Sequence, residues 1–162
     1  MTSTHVHLFL NHVPVLGVVF AGVLLAAAWW LRSPAFQRLA LLGLVFFALM
    51  AIPVYLTGDA AEDAVERVPG VSDAAIDSHE DAADVAFVAV EVLGGLALVS
   101  LLAVGRAPAV RTVVMSVVLV ATLVTSGLFA WTSYLGGQIR HTEAGGVIAS
   151  GTSQAQEHRD DD

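Results

Sequence analysis

Four long apolar runs divide this chain: Val13–Leu31, Leu39–Thr57, Val85–Val104 and Thr112–Leu135. Polar residues collect between them and beyond them. A helix rising 1.5 Å per residue needs about 20 residues to cross a hydrocarbon core of about 30 Å, and each run meets that need. None alternates with period two, and a backbone in lipid must satisfy its own hydrogen bonds, so helices are favoured over barrel strands. The pattern predicts an all-α integral membrane four-helix bundle with spans at about 8–31, 39–57, 82–104 and 110–136. These spans and their connections make one domain over residues 1–147. Residues 148–162, small, polar and acidic, are expected to form a flexible tail.

The first run is read as a retained helix and not a signal peptide. Its leading segment MTSTHVH has no Arg or Lys, and the apolar stretch continues through Trp29 and Trp30 to Arg32. Paired Trp residues mark a membrane interface. Pro53 is expected to kink span two near its end.

Composition agrees with the pattern and adds direction. The chain is 56% hydrophobic, outside the range of soluble globular domains. Lysine is absent. Arg32 and Arg38 lie between spans one and two, and Arg106 and Arg111 between spans three and four. By the positive-inside bias of short loops, those loops face the cytoplasm. Both termini and the loop between spans two and three then face outward across a bacterial inner membrane. All Asp and Glu fall on that outer side, except Glu91 inside span three. All six His lie there or at its boundary.

The loop at 58–81 carries Asp59, Glu62, Asp63, Glu66, Asp73, Asp77, Glu80 and Asp81 against the single base Arg67. Its Ala-rich first part extends as helix, Pro69–Gly70 breaks it, and Ser72 is a suitable N-cap for a helix restarting at Asp73. No strong stop follows before Gly105. An extracytoplasmic helical hairpin standing on spans two and three is the expectation.

Candidate chemistry sits at the same end. On the helix from Asp73, His79 shares a face with Ala83, Ala86, Val90 and Ala97, while Asp77, Glu80, Asp84 and Glu91 form a second stripe. Glu91 is either a functional proton-bearing group or a buried polar residue aiding helix packing, since an ionisable side chain in a span is costly. Asp59, Glu62 and Glu66 share one face of the preceding helix. Most of these acids read as a solvated face; Glu62 and Glu80 are set apart because facing Glu and His from paired helices hold metals in bundles. His12, between Asn11 and Pro14, enters span one where the backbone hydrogen-bond pattern is broken. His5 can share its face and His7 cannot, if the helix is regular. His141 shares a face with Gly127, Ala130, Tyr134 and Gly137, small enough for a helix or a flat cofactor to approach. Arg140 and Arg67 are able to pair with haem propionates or with the surplus carboxylates.

Segments HLFLNHVPV at 7–15, YLTGDAAEDAVERVPGVSDAAIDSHEDAA at 55–83 and LGGQIRHTEAGGV at 135–147 together resemble an uncharacterised family of bacterial four-helix membrane proteins. The resemblance covers the membrane portion in order. It implies the four-span fold and draws attention to His12, Glu62, His79, Glu80, His141 and Glu143. Members of that family are similar to predicted membrane components of redox systems.

Cysteine is absent, which excludes c-type haem attachment, Cys-ligated clusters and disulfides. The leading expectation is a small redox subunit resembling a b-type cytochrome. Haem b would be held near the outer face by His12 with His79, or His79 with His141, beside Arg140. Such a subunit would serve a periplasmic or membrane redox partner, in an oligomer or alone. A divalent metal (Zn, Fe or Cu) on His12, Glu62, His79, Glu80 and His141 is the second reading, and explains the Glu residues better. The third is a non-catalytic subunit docking a basic partner through the acidic loop, which leaves the histidines without a purpose. No nucleophile–base arrangement suggests a hydrolase, and a net charge of −8 disfavours nucleic acid.

Overall fold

The computed structural model describes the backbone of residues 3–67, 69 and 71–157, and the side chains of 6, 7, 9–67, 69 and 71–139. Among the described residues there are six helices and no strand: α1 Ser3–Leu10, α2 His12–Trp30, α3 Pro34–Leu56, α4 Gly58–Val65, α5 Asp73–Ser100 and α6 Pro108–Glu157. Four of them, α2, α3, α5 and α6, are long and apolar enough to cross a membrane. The protein is an all-helical, integral membrane four-helix bundle. At 28 residues α5 is about 42 Å long, more than a bilayer core requires, and its surplus first turns carry the acids.

In the bundle α2 packs on α3 and α6, and α5 packs on the same two, so neighbours run antiparallel around a ring. Polarity does not choose the inward faces, because the spans are apolar all round. Size contributes. Along α2 the buried positions include Gly17, Ala21, Gly22 and Ala28, while Leu16, Phe20, Val23 and Trp30 are exposed. Lipid is as apolar as a leucine side chain, so the gain lies in backbones approaching closely. At Gly94 of α5 an added Cβ would stand 2.5 Å from the Ala48 Cβ of α3. The space at Gly17 is filled by the Phe47 ring. Between these contacts Val18, Leu25, Leu41, Leu44, Val90, Leu93, Met115 and Val118 fill the core.

The connections obey local rules. Pro14 has no N–H to give the Leu10 carbonyl, and the chain turns there, at Asn11, between α1 and α2. Helix α2 ends in a Schellman arrangement, with Ser33 N–H on Ala28 O at 3.0 Å and Arg32 N–H on Trp29 O at 3.0 Å. Pro53 lies inside α3, as expected. The hairpin forms as two helices, α4 and the start of α5. Ser72 sits at the N-cap of α5 with extended backbone, but its side chain makes no capping bond. Helix α5 also stops at Ser100, short of Gly105. Its last carbonyls are taken up by tight three-residue turns, such as Ala103 N–H on Ser100 O at 2.9 Å. Gly105 and Pro108 follow in the turn and block any continuation.

Candidate functional site

The bundle has a carboxylate end, where α1 lies against α4 and the end of α3, and an arginine end holding both short loops. The motif segments meet at the carboxylate end. His79 of α5 points into the bundle, half-buried, as its phase with the buried Ala86, Val90 and Ala97 requires. Its Nδ1 lies 3.0 Å from the Thr132 carbonyl oxygen of α6. A carbonyl only accepts, so Nδ1 carries the proton and donates. Thr132 answers with its hydroxyl, donating to the Ala82 carbonyl at 3.1 Å. Gly136 completes the seat: a Cβ there would come within 3.0 Å of the His79 ring. The imidazole of His79 therefore fills the room that glycine leaves on α6.

The second imidazole at this end belongs to His7, not His12. His7 Nδ1 donates to the Val54 carbonyl oxygen at 2.9 Å, with the Thr57 hydroxyl 3.5 Å from the same nitrogen. Val54 is in the last turn of α3, and its carbonyl also accepts from the Thr57 N–H at 3.3 Å and the Thr57 hydroxyl at 3.0 Å, so His7 joins from α1 a helix end that Thr57 already caps. Among the described residues, neither ring has a hydrogen bond at Nε2. His12 is exposed and borders an open apolar groove with Leu16, Phe20 and Phe47. Of the expected pairs, His12 with His79 or His79 with His141, His12 is exposed and the side chain of His141 lies outside the described residues.

Carboxylates surround this seat without joining it. Glu62 of α4 is partly buried, and that burial, with Glu80, Glu66, Asp59 and Asp77 nearby, holds its carboxyl above the usual range. Glu62 and Glu80 are therefore brought together. Glu80 is exposed, as are Asp59, Asp63, Glu66, Asp73, Asp77 and Asp81. Among the described residues none of these acids forms an ion pair, Arg67 included. Asp84 accepts from the Tyr55 hydroxyl at 2.9 Å, and the Tyr55 ring stacks on Phe87 at 4.1 Å, tying α3 to α5. Glu91, further down α5, has a buried Oε1 with no hydrogen-bond partner.

No three His, Asp or Glu side chains among the described residues converge as a metal site requires. The expected set of His12, Glu62, His79, Glu80 and His141 is not assembled within them. His12 stands on the outer surface, and the side chains of Arg140, His141 and Glu143 lie outside the described residues; the tail expected to be flexible at 148–162 continues α6 as helical backbone to Glu157, and 158–162 lie outside the described residues. A porphyrin gains no opening from Gly136, because His79 occupies it. The chain matches no protein-family model, no curated protein and no solved structure.

Proposed function

We propose that this protein is an accessory subunit of a bacterial inner-membrane assembly, docking a basic partner through its acidic hairpin. The arginine end faces the cytoplasm and the carboxylate end faces outward, following the positive-inside bias. One observation carries the reading: the exposed acids of α4 and early α5 have no cationic partner among the described residues. An unpaired patch of one sign steers and orients a partner of the other. Docking leaves the histidines a structural role, since His7 ties α1 to α3 and His79 ties the start of α5 to α6.

The cysteine-free chain makes the orientation easy to test. A single Cys replacing Asp63 is labelled by an impermeant maleimide in intact cells, and one replacing Arg38 only after lysis. A photocrosslinker at Asp81 then yields one discrete adduct in native membranes. That adduct is lost at high salt and when Asp59, Asp63, Glu66 and Asp77 become amides. An adduct indifferent to both changes, or none at all, overturns the docking reading.

A second reading rests on the imidazole pair. Ligating histidines ordinarily fix their orientation by donating the other ring N–H to a carbonyl or carboxylate. His7 and His79 both do so through Nδ1, which keeps Nε2 as the lone-pair donor. Haem b or a divalent metal held there would add redox or Lewis-acid chemistry to the subunit. A Soret band, or stoichiometric metal by elemental analysis, lost in His79→Ala and kept in His12→Ala, is the expected result. A colourless, metal-free protein removes this reading and leaves the first intact.

A further inference from the structure

The arginine end contains a cavity of 440 Å³ between the α2–α3 turn and the start of α6, lined by Trp29, Arg32, Gln37, Pro108, Arg111 and Thr112. Residues 31–40 and 101–112 hold four arginines and no carboxylate, so two arginines line this cavity without an anion from either connection. Gln37 is fully buried; its Nε2 donates to Ala28 O at 3.4 Å while its Oε1 has no partner. Arg32 adopts φ 51°, the one positive φ outside glycine among the described residues, at a C′ position where Gly is the usual choice. An arginine kept at that position places its charge at the cavity and accepts a backbone that glycine would hold without strain.

We infer that this cavity binds the headgroup of an anionic phospholipid, with Arg32 and Arg111 on the phosphate and Gln37 Oε1 accepting from a headgroup hydroxyl. Arginine suits phosphate because its planar fork presents paired donors. A lipid is favoured over a free anion by position. The cavity lies at the helix ends, at the level of the Trp pair, where aromatic residues mark the membrane interface. The residues next in sequence to its lining are apolar and exposed, Trp30 by 88%, Leu31 by 66% and Val113 by 63%, a surface for an acyl chain to follow. Basic pockets between helix ends are sites where acidic headgroups bind. The inference rests on the four-span membrane fold and not on the docking or cofactor readings.

The test uses the full chain in neutral detergent, titrated with phosphatidylglycerol, phosphatidylcholine or inorganic phosphate. Native mass spectrometry and the thermal midpoint are the readouts. Wild type retains phosphatidylglycerol and melts higher with it, while phosphatidylcholine and millimolar phosphate do neither. Arg32→Gly relieves the backbone and so folds at least as well without lipid. It binds phosphatidylglycerol roughly tenfold more weakly, the effect of losing one charge-assisted contact. Arg111→Gln weakens binding similarly. Equal retention by all three proteins, or no preference over phosphatidylcholine, overturns the site. A midpoint shift produced by inorganic phosphate alone makes it a free-anion site and overturns the lipid assignment.

Discussion

The two ends of the bundle carry opposite charge and hold it in opposite ways. At the carboxylate end the acids project from two short helical pieces, exposed, and the ordered polar contacts beneath them come from His7, His79, Thr57 and Thr132. At the arginine end Arg32 and Arg111 line one recessed space beside a buried amide. The first arrangement spreads charge over a platform and fixes the platform with neutral hydrogen bonds. The second concentrates charge at a concavity. A platform suits a broad macromolecular partner, and a concavity suits a small anionic group.

This contrast can be broken most forcefully at the His79 seat. Gly136→Val drives a side chain into the imidazole, and overpacking of this kind costs about 1–3 kcal/mol. His79→Ala removes a partly buried hydrogen bond, with an expected loss of about 1–3 kcal/mol. For both, hydrogen exchange should quicken in α4 and the first turns of α5 and stay unchanged at the arginine end. Protection lost evenly through the bundle would show that the two ends are not independent. Next in size is Arg32→Gly, expected to raise stability in lipid-free detergent by about 1 kcal/mol through relief of its left-handed backbone. An unchanged or lower melting midpoint would contradict that.

The pH response sharpens the same comparison. Partial burial and the neighbouring acids raise Glu62 above its ordinary 4.5. A folded pKa above the unfolded one means a contribution fully present below the unfolded pKa and lost as pH rises through the folded value. The carboxylate end should therefore resist proteolysis best in mild acid and loosen as pH rises above about 4.5. Glu62→Gln should flatten the response, while the arginine end stays level over the same range. The smallest effect is expected for His12→Ala, within about 0.5 kcal/mol by thermal melting, because His12 is exposed.

How much was legible in advance follows from how locally each feature is determined. His79 was placed correctly because it shares one unbroken helix with Ala86, Val90 and Ala97, and phase carries along such a helix. That His12 is exposed while His7 is partly buried against α3 was not legible, because it turned on which side of the first segment meets the bundle. Periodicity is blind to that when a span is apolar on every side. The small face open to a cofactor or helix was placed at Gly137; the filled position is its neighbour Gly136, and the ring that fills it comes from 57 residues earlier in the chain. The cavity at the arginine end went unread, since Arg32 and Arg111 belong to different connections and Gln37 looks unremarkable in sequence.

By itself, then, the sequence determined four membrane helices, the segregation of acids from arginines and the hairpin between spans two and three. Each follows from hydropathy, length and local breakers, which act within a few turns of chain. Only the tertiary structure decided which histidines are held against neighbouring helices, that their Nδ1 atoms are spent on the carbonyls there, and that two arginines share a cavity. In a lipid-facing bundle those choices depend on which small residues let two backbones approach, and that is settled between helices, not along one.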